Sequence, residues 1–195
     1  MAAVASVFAP PPAFAGPAVG MPPSIIDIEA SGFGRSSYPI EVGYILGDGS
    51  TFCTLVRPAP GWTHWDPAAE AVHHIPRELL ERHGRPPAEV ARLLNDRLRG
   101  QTLYSDAWGH DFPWLSVLFE EAGTVPLFRM DSLRKMLDEQ QAAQWQGARD
   151  RVAREFSVAR HRASVDAWLL QQTWLRLQRL PDGRCPESSL FGELT

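Results

Sequence analysis

The sequence predicts an α/β fold, a mixed sheet flanked by helices. Three short runs rich in β-branched residues, at 24–29, 40–46 and 51–56, stand close enough together to pair as hairpins or a meander. Beyond them, helical periodicity alternates with a further buried apolar run, the pattern that lays helices over the faces of a sheet. At 195 residues the chain matches one ordinary domain, long enough to bury roughly 70% of its unfolded surface.

Taken in order, residues 1–22 carry no charged side chain and are dense in Ala and Pro, including Pro10, Pro11 and Pro12 in succession. Such a stretch cannot form an unbroken helix, and it lacks the basic start of a secretory signal, so a flexible tail is expected. Met21 directly precedes the first strand and offers an alternative start, which would leave the residues before it untranslated. The folded domain is expected over 23–180. Gly47-Asp48-Gly49 supplies the turn between the second and third strands. A loop rich in Pro and Trp leads to helices at 76–83 and 87–98. Each opens with a proline, whose missing N–H falls among donors that a first turn leaves free anyway. Residues 102–105 read as a buried fourth strand, and 112–122 as a helix that begins through Pro113. Amphipathic helices are expected at 131–146 and 163–177, followed by a loop-like tail over 181–195. No run approaches the ~18 apolar residues of a membrane span.

The composition, 44% hydrophobic and 22% charged with seven Trp and nine Phe, is that of a chain with ample core material. A net charge of −4 speaks against coating long duplexes, which rests on neutralising many phosphates with Lys and Arg. It is compatible with gripping a short substrate end through cations. The two cysteines, Cys53 and Cys185, lie far apart and lack zinc-site spacing, so neither a disulfide framework nor a structural zinc is expected. A reducing, cytoplasmic setting follows.

Three constellations carry chemistry. In Asp27-Ile28-Glu29 the two carboxylates sit two apart on a strand and therefore project from one face, with Ile26 and Ile28 on the other. Like charges so close raise a pKa unless a cation such as Mg²⁺ or Mn²⁺, which prefers oxygen ligands, is present. An exposed strand face with solvated acids is the equal alternative on spacing alone. The second constellation is 104–111, where Asp111 directly precedes Phe112-Pro113 and alone would read as a helix N-cap, with Asp106 as a turn residue. The third is His161-Arg162-Ala163-Ser164-Val165-Asp166, in which the histidine stands on the approach to a helix and the acid in its first turns.

Together these residues resemble the DEDDh family of 3′–5′ exonucleases, which includes oligoribonuclease, ribonuclease T and proofreading subunits, across roughly residues 24–176. Asp27 and Glu29 match the family's Asp-x-Glu, Asp111 its central Asp, and His161 with Asp166 its His-x-Ala-x-x-Asp. This last motif is the specific one and separates the histidine branch from the tyrosine branch. His73-His74-Ile75 stands where many relatives have His-Gly-Ile. The resemblance implies a ribonuclease H-like fold with a five-stranded sheet, and two divalent cations held by Asp27, Glu29, Asp111 and Asp166. It further implies that His161 is the general base and that 5′-mononucleotides leave from the 3′ end of single-stranded DNA or RNA.

Two departures bear on substrate. Ala30-Ser31-Gly32 replaces the family's frequent Thr-Thr-Gly or Thr-Gly, so Ser31 or the backbone at Gly32 takes over that contact. Asp106 stands where Asn is frequent. Phe33, just after the first motif, is the first candidate for stacking on a base, with Trp108, Trp62 and Trp65 in loops nearby and His73 as a further contact. Arg160 and Arg162 flank the histidine and are candidates for phosphate contact as well as for solvation. A degenerate domain that binds nucleic acid or a partner without cleaving is the alternative. A dinucleotide hydrolase like oligoribonuclease is another, and would imply a homodimer.

Overall fold

A computed structural model describes residues 21–156 and 161–178. The tail expected at 181–195, all but the last two residues of the tail at 1–22, Arg160 and Cys185 lie outside them. Strands β1 (Ser24–Ala30), β2 (Pro39–Ile45) and β3 (Thr51–Leu55) form the antiparallel meander expected from their spacing, and β4 (Thr102–Ser105) then pairs parallel to β1. A fifth strand, β5 (Arg129–Ser132), adds parallel to β4 and completes a mixed sheet in the order β3-β2-β1-β4-β5.

Helices cover both faces. α1 (Pro67–His73) and α2 (Arg77–His83) lie beside α3 (Pro87–Leu98) in sequence, followed by α4 (Trp108–Glu121), α5 (Glu139–Glu155) and α6 (Ala163–Gln178). Ile26 and Ile28 of β1 bury against Val90, Leu94 and Leu98 of α3 and Leu115 and Leu118 of α4. Ile25, from the opposite face of the same strand, buries against Ala167 and Leu170 of α6. The period-2 alternation of the strand thus divides the core into two layers. A third cluster joins Tyr38 and Ile40 to Ile75 and Leu80 at α2.

Three expectations need correction. The helix expected over 131–146 is in fact β5, a 3₁₀ turn (Leu133–Met136) and only the start of α5. Asp138 caps that helix through Gln141 N–H at 2.7 Å, while the Gln141 side chain accepts from Asp138 N–H at 3.1 Å. This capping box fixes the start of α5 eight residues later than apolar periodicity places the helix. The Pro- and Trp-rich loop contains α1, started by Asp66, whose side chain accepts from Ala68 N–H at 2.8 Å. Finally, α4 starts at Trp108, so Pro113 lies inside the helix and Asp111 in its first turn. The N-cap is Ala107, whose carbonyl accepts from His110 N–H at 2.8 Å and Asp111 N–H at 3.0 Å.

Candidate functional site

β1 and β4 run parallel, with Ser24 and Ile25 paired to Leu103 and Tyr104, so β4 ends beside the middle of β1. There the chain leaves β1 toward one side of the sheet and β4 toward the other, the crevice in which open α/β sheets hold ligands. Four elements deliver acids there. β1 carries Asp27 and Glu29, the turn after β4 carries Asp106, the first turn of α4 carries Asp111, and the first turn of α6 carries Asp166.

Asp27 is the centre of the group. Burial raises its pKa well above the ordinary 3.8, and Asp111, Glu29, Asp166 and Asp106 each push it further. Asp111 is 1% exposed. Burial pushes its carboxyl up to about 8, with Asp106 and Glu29 acting in the same direction. The Ser105 hydroxyl donates to Asp111 Oδ2 and pulls the other way, while Ser105 Oγ itself accepts from Ala107 N–H at 3.0 Å. Ser105 therefore links the end of β4 to the start of α4.

His161 joins from the other side. Ligating atoms of Glu29, His161 and Asp166 all lie within 4.8 Å of one another. His161 N–H donates to Asp166 Oδ2 at 2.6 Å, and the residue adopts a left-handed backbone with φ 71°. The donor set is carboxylate oxygen and imidazole nitrogen, and the pKa values of Asp27 and Asp111 are raised first by burial and then by neighbouring acids, both of which a divalent cation would offset. The residues present fit such a cation.

The start of α6 is tied down by a residue the motif reading missed. Glu41 of β2, fully buried, sits opposite Glu29 in the β1–β2 register. It accepts from Arg162 Nη2 at 2.6 Å and Nε at 3.0 Å, and from Ala163 N–H at 2.8 Å. Arg162 is thus committed to Glu41. The position is invisible in sequence because every residue of β2 is buried and Glu41 stands alone among apolar neighbours. A second missed residue is Arg149 of α5, whose Nη1 lies 3.1 Å from Asp106 Oδ2 and whose Nη2 lies 4.0 Å from Asp166 Oδ1.

The residues expected to touch substrate fall into two groups. Phe33 is 67% exposed and rests on the rings of His110 and Trp114, with centroids 5.4 and 6.1 Å away. Trp108 is also exposed and stacks on Phe112 at 5.3 Å. The other three face inward. Ser31 is buried, and its hydroxyl accepts from Tyr38 N–H at 3.1 Å. A Cβ at Gly32 would stand 2.8 Å from Asp66 Cβ, so close approach to the loop before α1 requires glycine. His73 is buried, its Nδ1 accepts from Ile75 N–H at 3.0 Å, and desolvation lowers its pKa. Trp62 and Trp65 are half-buried around the third core cluster.

The sheet order, the helices on both faces and the acids at the β1–β4 crevice define a ribonuclease H-like α/β fold. No protein-family model matches the chain, and no curated protein sequence matches it. Among solved structures it is similar to E. coli exonuclease I. Against the complex with a 5cy-dT13 oligonucleotide the TM-score is 0.63 at 13% identity, covering 82% of this chain and 41% of that one. The zinc-bound complex with single-stranded DNA gives 0.60 at 11% identity, covering 80% and 40%, and the complex with dA16 gives 0.60 at 11%, covering 78% and 40%. The chain therefore spans about two fifths of the length of these structures.

Proposed function

We propose that this chain is a metal-dependent 3′–5′ exonuclease that acts on single-stranded nucleic acid and releases 5′-mononucleotides. The observation that carries the reading is the convergence of Asp27, Glu29, Asp111 and Asp166, from three separate elements, on one crevice beside His161. Four acids so placed repel one another at a cost that a folded chain has little reason to bear without cations. The likeness to exonuclease I, solved with single-stranded oligonucleotides, supports the same class of substrate.

Asp27, Glu29, Asp111 and Asp166 would hold two divalent cations, Mg²⁺ or Mn²⁺, which when bound stabilise the charge on the attacking and departing oxygens at phosphorus. Glu41 and Arg162 fix the start of α6, so that His161 and Asp166 keep their places relative to β1. His161 takes a proton from the attacking water as general base, a role suited to an imidazole. Phe33, backed by His110 and Trp114, offers its exposed ring to the terminal base, and Trp108 with Phe112 offers a second platform. A reducing, cytoplasmic setting belongs to the same reading.

The test uses 5′-labelled single-stranded DNA and RNA with Mg²⁺, Mn²⁺ or EDTA, beside an Asp27→Ala control. A ladder that shortens from the 3′ end only with metal, and not in the control, is the expected result. Absence of cleavage of either strand, and of dinucleotides, would overturn it in favour of a binding domain.

A further inference from the structure

We infer that Arg149 is the resident counter-ion of a fifth acid, Asp106, and thereby sets how tightly the carboxylate site holds divalent cations. The inference rests on the metal-dependent reading above. The charge count motivates it. Four carboxylates balance two divalent cations, whereas a fifth leaves the loaded site with a surplus negative charge facing an incoming phosphodiester. Asp106 is such a fifth acid, near enough to push up both Asp27 and Asp111. Arg149 meets it at 3.1 Å and reaches to 4.0 Å from Asp166, so one guanidinium stands between the surplus acid and a proposed ligand.

The surroundings suit this role. The Arg149 and Asp106 side chains are only 17% and 23% exposed, so their interaction is poorly screened. Arg149 Nε is buried and makes no hydrogen bond among the described residues, so the side chain is held by charge more than by a complete set of donors. Arg149 and Asp106 also line a pocket of about 230 Å³ with Trp145 and Gln146, which gives water somewhere to go when the guanidinium is removed. Removing Arg149 exposes the surplus charge and should tighten cation binding. Removing the charge of Asp106 strands a cation next to Asp166 and should weaken it. Removing both restores the balance.

The test is Mn²⁺ titration of the full chain by calorimetry, in wild type, Arg149→Ala, Asp106→Asn and the double variant, with Arg149→Gln as a second truncation and thermal melts to confirm folding. With charges this close, and even after solvent and salt screen part of the interaction, the expected shifts are at least about tenfold, tighter for Arg149→Ala or Arg149→Gln and weaker for Asp106→Asn. The double variant should return to within about twofold of wild type, as a coupled pair does. Arg149→Lys should leave affinity near wild type, because the charge is kept. Weaker binding in every variant, or no recovery in the double variant, overturns the inference and makes Arg149 a merely structural residue. A wild-type chain that binds no Mn²⁺ overturns the proposed function itself, which is a separate and recognisable result.

Discussion

Asp111 carries a pH dependence whose sign follows from its surroundings. In the unfolded chain it titrates near the ordinary 3.8 and in the fold near 8, so between those values the folded state binds more protons than the unfolded one. The metal-free protein therefore loses stability as pH rises across that window. Thermal melts in EDTA should show the wild type falling relative to Asp111→Asn between about pH 4 and 8, and added Mn²⁺ should remove the difference. A relative melting temperature that is flat or rising over the window would contradict the assignment. His161 makes the complementary case. His161→Ala should lower turnover by about 10²-fold or more while Mn²⁺ affinity changes little, which rate measurements and calorimetry separate. Equal losses in both would make His161 a cation ligand, a position its closeness to Glu29 and Asp166 also permits.

At the scale of elements, the site depends on how closely α6 approaches β2. Gly43 of β2 lies under the first turn of that helix, and a Cβ there would come within 2.7 Å of Ser164 Cα and overlap the backbone beside it. Gly43→Ala should cost about 1–3 kcal/mol as overpacking, read as a lowered denaturation midpoint. It should also lower turnover more than the stability loss explains, because the helix start carrying His161 and Asp166 must shift. A variant that is destabilised but fully active would show that this approach serves packing alone. The same pair of elements shows what sequence reading reaches. The strands β1 to β4 and the helices α2, α3 and α6 follow from local periodicity and turn chemistry, whereas Asp27, Glu29, Asp111, His161 and Asp166 stand out only through their resemblance to a family's motifs, since spacing alone reads them equally as solvated acids, a helix cap and a surface histidine. β5 escaped because Arg129-Met130-Asp131-Ser132 has no apolar alternation and gains its strand geometry from pairing with β4. Glu41 and Arg149 escaped because their partners lie 121 and 43 residues away, and no local pattern records a contact at that range.

On the scale of the whole molecule, a net charge of −4 bears directly on how the proposed substrate would be held. Few phosphates can be neutralised by side chains, so binding of an oligonucleotide to a His161→Ala variant should need divalent cation. Its dependence on monovalent salt should be shallow, with a slope in log K against log salt of about −1 to −3 by fluorescence anisotropy. Tight metal-free binding with a steep slope would point instead to an extended basic groove. Among the described residues no helix is long and apolar enough to cross a membrane. His161 itself has a wider consequence. A left-handed backbone at φ 71° suits Gly best, and although His tolerates it better than most residues with a Cβ, the fold keeps an imidazole there at a conformational cost that Gly would not bear. His161→Gly and His161→Asn should accordingly yield inactive proteins that melt no lower than wild type, and even higher, which is the signature of a position where activity has been retained at the expense of robustness.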